Sequence, residues 1–208
     1  MLLRQGTRDV LLARVDDDHY GVHLRVLPGW RSPVPPVTAA DARRIGGDPV
    51  RWAHWFADVL TEPLHDGEWV LTNRSLPGYV LGGDLVRTYP ESYLDWFGAG
   101  WQGAVPLREL SEVDSSRVKA YRKLGADLPP VLLLAQTGFD GYVVLDGHDR
   151  LVAALDAGTR PPVLVLARAG DGSWLPGETA RTMAWPLPGG TTEWDRIAAA
   201  AGFDPDLT

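Results

Sequence analysis

The chain has 208 residues, no cysteine and a formal net charge of −7. That length buries a real core. The missing cysteine excludes disulfide scaffolds, thiolate-held zinc, iron–sulfur clusters and thiol catalysis. The acidic balance argues against a general nucleic-acid binder, which needs a positive footprint. No apolar run approaches the ~18 residues of a membrane-spanning helix. Met1-Leu2-Leu3-Arg4-Gln5 meets a charge too early for a secretory apolar region. A cytoplasmic protein without membrane contact is expected.

In chain order, Asp9–Val15 and Tyr20–Leu27 are β-rich runs around the polar cluster Asp16–His19, which predicts a hairpin. Thr38 is placed to cap a short helix over Ala39–Ile45, and a second helix is expected over Pro49–Leu60. In that helix Trp52, Trp55, Phe56 and Val59 follow the i, i+3, i+4, i+7 spacing of one apolar face. Glu68–Thr72 reads as a strand. Gly78–Gly103, rich in glycine and aromatics, gives no clear pattern. From Ala104 the order becomes β-α-β-β-α-β. It comprises a strand at Val105–Leu107, a helix at Ser115–Leu124 capped by Ser115 or Asp114, and strands at Pro130–Ala135 and Tyr142–Leu145. A helix at Asp149–Ala157 closed by Gly158 and a strand at Pro162–Ala167 complete it. The tail from Gly170 is proline-broken and ends in an expected helix near Thr192–Ala201.

The chemically informative run is Leu145-Asp146-Gly147-His148-Asp149-Arg150. A buried strand enters a glycine turn, and a helix starts at once. The first turn of a helix leaves its N–H groups without intrahelical acceptors, and its dipole favours anions there. Gly147 would allow close approach of a ligand. His148 and Arg150 would add donors suited to phosphoryl oxygens. Asp146 would hold Mg²⁺ or a substrate hydroxyl. The same residues fit a plain helix start, with Asp146 as a cap and His148 and Arg150 in solvent.

This run and its flanks resemble the ParB/sulfiredoxin superfamily. Gly158-Thr159-Arg160-Pro161-Pro162-Val163 is similar to the family's Gly-to-Pro-Val connection, one residue shorter. Arg117-Val118-Lys119-Ala120-Tyr121 and Leu128-Pro129-Pro130-Val131-Leu132 resemble its first helix and following strand. The resemblance covers about residues 104–168. It implies an α+β chain: a mixed-sheet, ParB/sulfiredoxin-like nucleotide-binding core at 102–168. An N-terminal α+β region at 1–101 and a helical extension at 169–208 would flank it.

Within that superfamily, sulfiredoxin chemistry requires a cysteine that this chain lacks. The DNA-partitioning branch continues into a helix-turn-helix region with no counterpart after Arg168, and Gly103–Arg168 carries eight basic and eight acidic residues. Asp146-Gly147-His148-Asp149-Arg150 looks most like the free-serine kinases. So does Glu112-Val113-Asp114-Ser115-Ser116-Arg117-Val118, with Ser111 where those enzymes carry histidine.

The resemblance therefore implies a small-molecule kinase using ATP or ADP with Mg²⁺ on a hydroxyl of a free amino acid or similar metabolite. Glu112, Asp146 and His148 would be catalytic. Gly147, His148, Asp149, Arg150, Arg117 and Lys119 would bind the nucleotide, and Asp146 would hold the metal. The N-terminal region, with Trp52, Trp55, Trp69, Trp96 and Trp101, would wall the site. The alternatives are a non-catalytic switch binding CTP or ATP and a ParB-like nuclease.

Overall fold

A computed structural model describes residues 1–15, 21–60, 69–95, 103–136, 141–168 and 185–187. The chain is α+β, with two sheets and four helices among these residues. Strands β1 (Leu2–Gln5), β2 (Arg8–Val15), β3 (Gly21–Val26) and β5 (Glu91–Asp95) form an antiparallel sheet in the order β1-β2-β3-β5. The expected hairpin is β2–β3, with Leu11 opposite Val26 and Arg14 opposite His23. In β3 the period-2 pattern buries Val22, Leu24 and Val26 and exposes His23 and Arg25. Sequence reading assigns no strand to Leu2–Gln5 or Glu91–Asp95. Both are short edge strands with charged or polar residues interleaved, where alternation is weak.

Helix α1 (Ala39–Ile45) starts as expected. The Thr38 hydroxyl accepts from the Asp41 N–H, and Asp41 reaches back to the Thr38 N–H. Helix α2 (Pro49–Val59) is capped by Asp48, which accepts from the Val50 and Arg51 amides, with proline in its first turn. Its apolar face buries Trp52, Ala53 and Phe56.

The second sheet has six strands. They are β10 (Trp185–Leu187), β4 (Trp69–Asn73), β9 (Val163–Arg168), β7 (Val131–Gln136), β8 (Gly141–Asp146) and β6 (Ala104–Pro106), in that spatial order. The β7–β9 and β6–β8 pairs are parallel and the others antiparallel. The expected β-α-β-β-α-β order is observed, with α3 (Ser116–Arg122, capped by Ser115) and α4 (His148–Asp156) as its helices. A division of the chain at residue 101 does not coincide with a sheet boundary. Strand β4 comes from the N-terminal part and pairs with β9 along its whole length. The turn Asp16–His19 and the helix expected near Thr192–Ala201 lie outside the described residues.

Both faces of the central strands are buried, which explains their unbroken apolar runs. Leu132, Leu134, Val143, Leu145, Leu164 and Leu166 pack toward the four-stranded sheet and α2, in one core with Val10, Leu11, Trp52 and Phe56. Val131, Leu133, Val144, Val163 and Val165 face the other way, onto Leu151 of α4 and the turn carrying Val80, Leu81 and Leu85. Each fully buried large aliphatic side chain contributes about 1.5–3 kcal/mol. The large shared core thus fixes the end of β8, where the site lies.

Candidate functional site

Strand β8 ends at Asp146, Gly147 is the N-cap residue, and α4 begins at His148. Gly147 has φ +91°, a left-handed value costly for any residue with a Cβ. A Cβ there would also stand 2.8 Å from Nη2 of Arg150. The positive φ requires the glycine, the Arg150 guanidinium is folded back over it, and Gly147 still lines the cleft. No side chain caps α4, and the Leu151 N–H makes the first intrahelical bond, to the Gly147 carbonyl at 2.8 Å. Helix geometry thus leaves the amides of His148, Asp149 and Arg150 without intrahelical acceptors.

These residues line a cleft of about 290 Å³, whose other walls come from the 30–37 segment and from α3. The Trp30 indole N–H donates to the Leu145 carbonyl (3.2 Å), and the Ser32 hydroxyl donates to Oδ1 of Asp146 (2.7 Å). The Tyr121 hydroxyl donates to the Val37 carbonyl (3.4 Å). The polar ends of both aromatics are thereby spent on backbone.

Arg150 is only 2% exposed. Its Nη2 donates to Oδ2 of Asp146 (2.6 Å) and to the Pro130 carbonyl (2.9 Å), and the guanidinium lies 5.8 Å from the Tyr121 ring centroid. Arg150 thus lines the cleft as a buried strut between α4 and the residue before β7, with Nη2 bonded within the protein and Nε buried without a partner. Asp146 has one oxygen on Ser32 and the other on Arg150, so its carboxylate is already neutralised. Among the described residues no group of three or more His, Asp or Glu side chains could hold a metal. The donor set around Asp146 does not fit Mg²⁺.

Asp149, expected among the nucleotide-binding residues, lines the cleft with only 3% of its surface exposed. Its Oδ1 accepts from Nη2 of Arg108 (2.8 Å) and the Ser111 hydroxyl (2.6 Å), and its Oδ2 faces Nε of Arg117 at 3.1 Å. Burial works to raise its pKa. The Ser111 hydrogen bond and the Arg108 and Arg117 charges outweigh it and hold the carboxyl below its usual range. The two arginine side chains remain 42% and 66% exposed at the cleft. His148 is 2% exposed, and its Nε2 is buried without a partner. Burial first, then the Arg108 charge, push its pKa down to about 3, so the imidazole is neutral at ordinary pH.

The structure therefore brings together Asp146, Gly147, His148, Asp149, Arg150 and Arg117. Lys119 and Glu112 are exposed and do not line the cleft. Glu112 follows Ser111 directly, and its carbonyl accepts from the Ser115 N–H. Of the tryptophans expected as walls, Trp52 and Trp69 are core residues and Trp55 packs half-buried against that core. Trp96 and Trp101 lie outside the described residues. Sequence reading missed Arg108, Trp30, Ser32 and Tyr121 as site residues. Their only signal is residue type, because their partners lie far away in the chain.

What the arrangement can do chemically follows from its polarity. It presents helix amides and two half-exposed guanidiniums, and its two carboxylates are consumed internally. That is a donor-rich cleft, a polarity suited to an anion. No family model matches the chain, and neither a curated protein nor a solved structure shows significant similarity to it.

Proposed function

We propose that the cleft binds the phosphates of a nucleotide. We further propose that the chain, as its resemblance to the ParB/sulfiredoxin superfamily implies, transfers a phosphoryl group to a hydroxyl of a small metabolite. One observation carries this reading: the uncapped start of α4 opens onto a cleft bordered by Arg108 and Arg117, both held by Asp149. Phosphoryl transfer needs positioning and charge neutralisation more than covalent chemistry. The amides and two guanidiniums supply both. The acceptor oxygen would attack the terminal phosphorus while the bond to the leaving nucleotide oxygen breaks. Glu112, one residue beyond the Asp149-bound Ser111, would take the hydroxyl proton. No step is assigned to a metal held by Asp146.

A second reading, a nucleotide-binding switch without turnover, is favoured by one observation. Glu112 is exposed and is not part of the cleft lining. Calorimetric titration with ATP, ADP and CTP, each with Mg²⁺, tests the shared premise. Micromolar binding, weakened at least about tenfold in Arg117→Ala, supports it, and no binding of any nucleotide sinks it. If Glu112→Gln abolishes phosphate transfer to hydroxyl metabolites and spares binding, the protein is a kinase. Binding with no transfer to any of them leaves the switch.

A further inference from the structure

We infer, resting on the phosphate-binding reading above, that the cleft selects a terminal, dianionic phosphate over a phosphodiester, and that Asp149 is the positioning residue that makes it do so. The charge of the lining comes first. Three guanidiniums (Arg108, Arg117, Arg150) meet two carboxylates (Asp146, Asp149), leaving one net positive charge in a chain whose total is −7. Arg150 and Asp146 cancel each other at 2.6 Å, with the guanidinium buried. The surplus therefore sits on Arg108 and Arg117, which share one carboxylate. The helix start adds roughly half a charge.

Geometry turns this surplus into a clamp. Asp149 uses different oxygens for the two arginines, so each guanidinium stands on its own side of one buried carboxylate. A guanidinium has five N–H donors, so each keeps free donors while held. Ser111 fixes the carboxylate from a third direction. The neutral His148, whose buried Nε2 has no partner, lies in the same wall and leaves that charge unchanged. A terminal phosphate carries about −1.5 to −2 at neutral pH and exposes three oxygens. A diester carries a single charge and only two free oxygens, one fewer acceptor to share between the two guanidinium forks and the helix start. Nucleic-acid backbone is therefore the wrong anion here, and the end of a nucleoside di- or triphosphate is the right one.

The test is calorimetry on the full chain with inorganic pyrophosphate, dimethyl phosphate and ADP at constant ionic strength. The wild type is expected to bind pyrophosphate at least about tenfold more tightly than dimethyl phosphate. Asp149→Asn should erase most of that preference. In an Arg108→Ala/Arg117→Ala background the same change should cost nothing further, because nothing remains to position. A merely structural aspartate would lower affinity equally in both backgrounds. Arg108→Lys keeps the charge and loses the fork, so it serves if Asp149→Asn does not fold, and it too should reduce the preference. Equal wild-type affinity for the two anions overturns the inference, as does a preference that survives both variants or equal losses in both backgrounds. If ADP binds while pyrophosphate does not, the inference falls and the nucleotide reading stands. If neither binds, both fall.

Discussion

Two ion-pair groups flank the first turn of α4, and they are built for opposite ends. On one side Arg150 and Asp146 are locked together, with the Arg150 side chain 3% exposed and that of Asp146 16%. On the other, one buried carboxylate at Asp149 serves two arginines that stay open to the cleft. The two groups use the same residue types, arginine and aspartate. What separates them is stoichiometry and exposure. A one-to-one buried pair spends its charge on structure, whereas a one-to-two pair leaves a positive surplus at the surface.

The sharpest way to break this contrast is to remove one partner from the locked side. Asp146→Ala leaves Arg150 buried and uncompensated, and is expected to cost about 3–5 kcal/mol of stability in urea unfolding. A loss under about 1 kcal/mol would mean that Arg150 finds water instead. Next in size, Gly147→Ala forces a Cβ into the left-handed region and against Arg150. It should cost about 2–3 kcal/mol by the same measurement. The open side behaves differently: Arg108→Ala leaves Asp149 held by Ser111 and Arg117 and should cost only about 1 kcal/mol, yet weaken nucleotide binding at least about tenfold. If it unfolds the chain instead, the cleft is a structural joint.

A pH profile sharpens the comparison from inside the turn. His148 has a folded pKa near 3, below its ordinary 6.5. As pH falls below about 6.5 the unfolded chain takes up a proton that the folded chain refuses. Stability should therefore drain toward pH 3, at up to about 1.4 kcal/mol per pH unit. His148→Gln should flatten that acid slope in thermal melts taken from pH 7 to 4. The smallest effect belongs to the Arg122–Asp156 pair between α3 and α4, which is partly solvated. Arg122→Ala should cost under about 1 kcal/mol.

Local signals made much of the fold legible. Thr38, Ser115 and Gly158 each mark a helix boundary through chemistry within one turn, and the apolar spacing of α2 marks its buried face. The apolar runs of β7, β8 and β9 are legible because both their faces are buried. The site was legible only in part. The Asp146–Arg150 run was found because a strand, a glycine and a helix start are adjacent in sequence. The purpose of each residue was not legible, since it depends on partners far along the chain. Arg108 is 41 residues from Asp149, and Ser32 is 114 residues from Asp146. Sequence spacing cannot distinguish an arginine folded inward, like Arg150, from one held outward, like Arg117. Gly147 shows the same limit. The need for glycine is visible, but its positive φ and the guanidinium lying over it are not.

The segment from Trp30 to Val37 has a consequence for portability. It leaves the first sheet and fastens to the far end of β8 through Trp30 and Ser32, and to α3 through the Tyr121–Val37 bond. The β-α-β-β-α-β unit is thus a complete pattern in sequence and an incomplete object in space. Cut out and expressed alone, residues 104–168 would present Asp146 without its hydroxyl, β8 without its indole, and a cleft missing one bank. Whatever enters that cleft is met by two distant stretches of one chain. On the proposed reading, the segment from Trp30 to Val37 belongs to the binding cleft, and any graft of the motif onto another scaffold must carry both banks.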